Sequence, residues 1–157
     1  MLARGELDIM ADIVSDTAPL TDLVMCLLNA TPAVRCLRDA TRGGVATILN
    51  EVATAANVAV VVDERAIPVR AEVRGVCELL GLDPLYVAYE GRLVALVPGP
   101  AADTALQALR SHPLGQDVAI LGTVKDDPPG LVLLKTHTNF LQEIKRLLEK
   151  PQDYTLL

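Results

Sequence analysis

The sequence predicts an α/β fold, in detail an α+β layered arrangement in which a mixed β-sheet is packed with helices. Three observations carry this expectation. β-branched runs such as Val58-Ala59-Val60-Val61-Val62 alternate along the chain with segments of helical apolar rhythm. Gly, Pro, Asn and Asp punctuate the junctions between them. Half of the residues (51%) are hydrophobic, yet Phe140 and three tyrosines are the only aromatics, so Val, Leu, Ile and Ala must build the core. At 157 residues the chain is the size of one domain, large enough to bury roughly 70% of its unfolded surface.

The first expected element is a short strand over Leu7–Val14, closed by Ser15-Asp16. Leu20, Leu23, Val24, Leu27 and Leu28 then follow the i, i+3, i+4 rhythm of an amphipathic helix, with Asp16 or Thr17 as its cap and Thr31-Pro32 as its end. Val34–Leu37 reads as a brief strand leading into Arg38–Gly44. A helix over Gly44–Ala56 buries Val45, Ile48, Leu49 and Val52, and Asn57 stops it. Val58–Val62 is apolar at every position, the pattern of a strand covered on both faces. Asp63–Pro68 turns, and Val69–Leu80 is a helix ended by Gly81. A strand over Tyr86–Ala88 meets the strand Leu93–Val97 across a hairpin-like junction at Glu90-Gly91. Pro98-Gly99-Pro100 breaks the chain before a helix over Ala101–Arg110. Strands over Ala119–Val124 and Leu131–Leu134 lie around the turn Asp126–Gly130. A last amphipathic helix over Asn139–Lys150 carries Phe140, Leu141, Ile144, Leu147 and Leu148 on one side. No repeat, low-complexity tract or internal linker divides the chain.

Charge and composition exclude several function classes. A net charge of −6 disfavours nucleic acid and anionic membranes, both of which need a surplus of Lys and Arg. Arg35, Arg38 and Arg42 still form a local basic group suited to an anion. No apolar stretch reaches membrane-spanning length and residues 1–12 lack a signal-peptide core, so the expected location is cytoplasmic. Cys26, Cys36 and Cys77 have no CxxC spacing and read as free thiols. With His112 and His137 as the only histidines, no metal site is expected.

Two segments carry chemistry. In Arg38-Asp39-Ala40-Thr41-Arg42-Gly43-Gly44, paired glycines precede a helix whose N-terminus is partly positive, an arrangement suited to phosphate or another anion. Arg42 offers a bidentate donor, and Asp39 and Thr41 orient a ligand or, read more simply, cap the helix. The spacing is neither a Walker loop nor a dinucleotide fingerprint. Glu90, beside Gly91 and Arg92 near a strand end, is placed to act as a base; as an isolated feature it reads first as an exposed turn acid paired loosely with Arg92.

These segments together resemble the C-terminal domain of the HypE family of hydrogenase maturation factors, relatives of aminoimidazole ribonucleotide synthetase. The motifs are Ser15-Asp16-Thr17-Ala18-Pro19-Leu20, Cys36–Gly44 with Leu49-Asn50-Glu51, Ile67-Pro68-Val69 through Glu72-Val73, Cys77–Leu85 and His112-Pro113-Leu114-Gly115. The resemblance spans about residues 5–135 in the family's order. It implies a family-type domain over residues 1–137 followed by a divergent helix and tail over 138–157. It further implies an ATP-dependent dehydratase that converts a carbamoyl group on a terminal cysteine into thiocyanate, for the cyanide ligands of [NiFe]-hydrogenase. ATP and Mg2+ would be cofactors of the complete protein and none would be held by this chain alone. Asp39, Thr41, Arg42, Gly43 and Gly44 would form one wall of the nucleotide-facing cleft, and Glu90 would deprotonate the thiocarboxamide. The expected partners are an ATP-binding domain or separate half and other hydrogenase maturation proteins.

Three departures from the family pattern stand out. Tyr89 replaces the Asn that precedes the glutamate, and Ala40 replaces a Pro. The family's tail ends Pro-Arg-Ile-Cys, whereas this sequence ends Asp153-Tyr154-Thr155-Leu156-Leu157 with no cysteine after Cys77. The expectation is therefore a chain inactive alone, lacking the ATP domain and the acceptor thiol. The alternative is a non-catalytic partner-binding module derived from this domain.

Overall fold

The computed structural model describes residues 14–136. The expected helix over 139–150, and the expected strand over 7–14 except Val14, lie outside the described residues. The described chain forms two compact units. The first comprises residues up to Ile48 together with Pro68–Ile120, and the second comprises Leu49–Ile67 with the residues from Leu121.

In the first unit, helix α1 (Thr21–Ala30) packs on helix α4 (Ala102–Arg110). Leu23 and Leu27 of α1 meet Ala105 and Leu109 of α4, and Leu20, Val34, Leu37, Leu93, Ala95 and Val97 close around them. Leu27 is fully buried, and a leucine removed from water in this way contributes about 1.5–3 kcal/mol. The cap expected from Asp16 or Thr17 does not form. Leu20 occupies the N-cap position without a side-chain bond, because the helix begins further along than the rhythm alone implied.

Strand β1 (Cys36–Asp39) pairs antiparallel with β3 (Leu93–Leu96), in register from Cys36 opposite Leu96 to Asp39 opposite Leu93. The hairpin expected at Glu90-Gly91 is therefore absent: β3 finds its partner far upstream. The strand expected at Tyr86–Ala88 is also absent. Asp83 Oδ1 accepts the Leu85 N–H at 2.9 Å and caps a 3-10 turn over Pro84–Tyr86, so local turn chemistry overrides the β propensity of Tyr and Val. Before it, helix α3 (Ala71–Leu80) ends at Gly81, whose φ of +65° lets the Leu82 N–H reach the Cys77 carbonyl at 2.8 Å.

Helix α2 (Gly44–Ala56) has the bounds its apolar rhythm predicted and buries Val45, Ile48, Leu49 and Ala53, whereas Val52, expected in the core, is half-buried. Asn57, at φ +54°, turns the chain out of it. In the second unit β2 (Ala59–Asp63) is the central strand. It is antiparallel to β4 (Gly122–Lys125) and parallel to β5 (Val132–Lys135). The turn between β4 and β5 passes the start of β2, where the Gly130 N–H donates to the Val58 carbonyl at 3.0 Å. Flanked on both edges, β2 buries Ala59, Val60 and Val62, as its unbroken apolar run required. β4 is exposed at every position. The observed architecture is α/β with mixed strand pairing; among the described residues the strands form a two-stranded and a three-stranded sheet. Among the described residues, no helix is long and apolar enough to cross a membrane.

Candidate functional site

The turn from β1 into α2 carries the glycine-rich segment. Gly43 and Gly44 have φ of +68° and +67°, a conformation that costs any residue with a Cβ about 1–2 kcal/mol. Each glycine is also enclosed by close neighbours. The Thr47 hydroxyl donates to the Gly43 carbonyl at 2.8 Å and lies where a Gly43 Cβ would stand. Gly44 is buried against the 85–87 backbone, where an added Cβ would strike the Leu85 carbonyl and come within 2.6 Å of that of Val87. Asp39, Thr41, Arg42 and Gly43 are exposed. The paired glycines thus bring the backbone of residues 85–87 onto the start of α2 while leaving Thr41-Arg42-Gly43 open to solvent.

Ala40 joins this turn to the segment around Glu90. It is fully buried, and both of its backbone groups are paired: its N–H donates to the Arg92 carbonyl at 3.3 Å, and its carbonyl accepts the Tyr89 N–H at 2.9 Å. Glu90 and Gly91 are the two residues between those anchors, so they bulge outward opposite Ala40, past the end of the β1–β3 ladder. Where the resembling family carries Pro, Ala40 supplies an N–H that Pro lacks, and the structure uses it.

The side chains flanking Glu90 are held in other directions. The Tyr89 hydroxyl donates to the Pro84 carbonyl at 2.8 Å, and the Arg92 guanidinium lies over the Tyr89 ring, 5.6 Å from its centroid. Burial pushes the Tyr89 phenol above its ordinary pKa. Arg92 opposes that shift, while Cys77, Asp16 and Asp83 add to it. The phenol that stands in place of the family's Asn is therefore a neutral strut between Pro84 and Arg92. Arg92 Nε is buried and has no hydrogen-bond partner among the described residues.

The third component is the stretch Ser15–Ala18. A Cβ on Gly91 would collide with the Asp16 carbonyl oxygen and stand 3.2 Å from the Ala18 nitrogen, so this stretch lies directly on Gly91. Thr17 Oγ1 donates to Glu90 Oε2 at 3.3 Å. Ser15 Oγ is 3.0 Å from Thr17 Oγ1 and accepts the Thr17 N–H at 3.3 Å. Helical patterning assigns Thr17 only a capping role. A signal for its actual contact exists, since glycine beside Glu90 marks a place where another backbone comes close, but it does not name the backbone.

The result is an exposed carboxylate, Glu90, joined through the Ala40 pairing to an exposed Thr41-Arg42-Gly43 turn at the start of a 13-residue helix. Chemically this provides a proton acceptor next to a surface suited to an anion. Among the described residues, no group of three or more His, Cys, Asp or Glu could hold a metal ion. His112 accepts the Leu114 N–H at Nδ1 and caps a 3-10 turn. The three cysteines are free thiols. Cys77 is buried, and burial, with Asp83 adding to it, raises its pKa.

The family described as AIR synthase related protein, C-terminal domain, matches residues 2–134. The carbamoyl dehydratase HypE of Azotobacter vinelandii is 50% identical over 133 residues, which are 85% of this chain and 39% of that protein. A solved HypE–HypF complex superposes with a TM-score of 0.80 at 39% identity, covering 87% of this chain and 44% of the matched one. A HypE structure in complex with ATP superposes with a TM-score of 0.78 at 42% identity, covering 85% and 42%. The chain therefore spans about two-fifths of the length of the curated relatives it matches.

Proposed function

This chain belongs to the AIR synthase related family as a HypE-like C-terminal domain, and from that premise we propose that it forms one wall of the reaction cleft of an ATP-dependent carbamoyl dehydratase in [NiFe]-hydrogenase maturation. The observation that carries the proposal is the pairing of Ala40 with Tyr89 and Arg92, which holds the Glu90 bulge beside the Asp39–Gly44 turn. In this reading Thr41, Arg42, Gly43 and the start of α2 face the phosphates of ATP, with Asp39 and Gly44 shaping the turn. Exposed donors at a helix start fit that group. Magnesium would come with the nucleotide and be held outside this domain.

Glu90 takes a proton from the nitrogen of an S-carbamoyl group. Across the whole reaction, the carbonyl oxygen leaves as part of inorganic phosphate while ATP becomes ADP. The nitrogen loses both protons, one ending on phosphate and one in solvent, and the carbon–nitrogen bond becomes that of a thiocyanate. A HypF-type maturation protein is the proposed source of the carbamoyl group, in keeping with the HypE–HypF complex among the similar structures.

The test uses the protein in which this domain operates beside its ATP-binding partner, on one chain or supplied in trans. Thiocyanate formation is followed by mass, as loss of one water from an added peptide that carries an S-carbamoyl cysteine. Glu90→Gln is expected to lower the rate by roughly 10²–10⁴, the usual range for losing a general base. A wild-type rate in that variant would remove Glu90 from the chemistry.

A further inference from the structure

We propose that Thr17 is a positioning residue for Glu90: the stretch Ser15–Ala18, seated on Gly91, fixes one carboxylate oxygen and leaves the other as the proton acceptor. The proposal rests on the reading of Glu90 as the base and goes beyond it by naming what aims that base.

The argument begins with backbone packing. Gly91 and the Asp16 carbonyl approach so closely that no side chain fits between them. Residues 15–18 are therefore located by main-chain contact, independently of any bond that Thr17 makes. Given that placement, the Thr17 hydroxyl meets Glu90 Oε2 at 3.3 Å across 73 residues of sequence.

The direction of the hydrogen bonds follows from the chemistry of the groups. An ionised carboxylate only accepts, so Thr17 must donate to Glu90. Its single proton is then spent, and the 3.0 Å contact between Ser15 Oγ and Thr17 Oγ1 must be donated by Ser15. Ser15 Oγ receives the Thr17 N–H in return. A one-way chain runs from Ser15 through Thr17 to Oε2. Among the described residues, Glu90 Oε1 takes no hydrogen bond.

The pair is exposed, where a single hydrogen bond adds little to stability. Its consequence is orientation. A glutamate on a two-residue bulge has several rotamers, which aim its unbonded oxygen in different directions. A donor anchored by backbone packing selects among them, and misplacing a reacting atom costs rate rather than fold.

Two measurements test this. The first is a double-mutant cycle on urea unfolding of this chain, with Thr17→Val, Glu90→Ala and both together, since alanine leaves no acceptor for the Thr17 hydroxyl. The two changes are expected to be coupled by about threefold in the unfolding constant. Additive effects would mean that the contact does not exist, and would overturn the proposal. The second is the thiocyanate assay in the complete protein. Thr17→Val should lower kcat about tenfold with the KM for ATP unchanged, Thr17→Ser should restore most of it, and Thr17→Val should have no further effect once Glu90 is Gln. A wild-type kcat in Thr17→Val while Glu90→Gln is impaired would overturn positioning and leave Glu90 as the base. A wild-type kcat in Glu90→Gln, with the unfolding cycle still coupled, would overturn Glu90 as the base and the positioning role with it, while the contact itself stands.

Discussion

The Asp39–Gly44 turn and the Glu90-Gly91 bulge meet at Ala40, yet they are assembled by different means. The turn is made by local sequence: a strand, two residues with positive φ, and a helix whose first turn is bonded back by Thr47. The bulge is made by distant partners. Ala40 pins its ends, Asp16 lies on its glycine and Thr17 holds its carboxylate. A locally built turn beside a remotely assembled acid means that the two can be perturbed separately: one through fold stability, the other through the orientation of a side chain.

The largest effect expected is at the turn. Gly44→Ala would place a methyl group against the Leu85 and Val87 carbonyls at a φ of +67°, combining left-handed strain with overpacking against backbone that cannot yield cheaply. A loss of about 3–5 kcal/mol in urea unfolding is expected. Gly91→Ala also drives a methyl group into backbone, the Asp16 carbonyl, but without the left-handed strain of Gly44, so its cost should be about 1–3 kcal/mol. Equal losses would mean that the bulge is as rigidly built as the turn, and the comparison would fail.

The same contrast explains what could be read in advance. The bounds of α2, the stop at Asn57 and the two-sided burial of β2 follow from apolar rhythm and backbone preference within a few residues. So does the end of α3 at Gly81. The glycine-rich turn was legible as a turn for the same reason, although the buried place of Gly44 under residues 85–87 was not. Failures occurred where partners are remote or propensities compete. β3 pairs with β1 across the chain rather than with a neighbouring strand, and Asp83-Pro84 draws Tyr86 into a 3-10 turn. Glu90 is a candidate from its place beside Gly91 and Arg92, but its bond to Thr17 depends on a backbone approach that no periodicity encodes.

A smaller effect should come from Tyr89, whose hydroxyl and ring brace the start of the bulge. Tyr89→Phe keeps the ring under Arg92 and deletes the bond to the Pro84 carbonyl. It should cost about 1 kcal/mol, the usual net contribution of one hydrogen bond. Urea unfolding near neutral pH reads this directly. An unchanged midpoint would show that the phenol is not a strut and that the ring alone braces the segment.

The smallest effect lies in the pH dependence, and it separates the same two regions again. Burial raises the pKa of both Cys77 and Tyr89. In each case the neutral form is favoured in the folded state, so the unfolded chain gives up its proton first as the pH rises. The stability linked to each group is fully present below its unfolded pKa and is lost as the pH climbs through the higher folded value. Tyr89 lies in the 83–92 segment and Cys77 is coupled to it through Asp83, and neither belongs to the Asp39–Gly44 turn. Unfolding midpoints should therefore decline from about pH 8.5, where thiols begin to ionise, and further above about pH 10, where phenols do. Tyr89→Phe should flatten the upper part of that decline and Cys77→Ala the lower part, whereas Arg42→Ala should leave its slope unchanged. If Arg42→Ala alters the slope as much as Tyr89→Phe does, the turn and the bulge are one electrostatic unit rather than two.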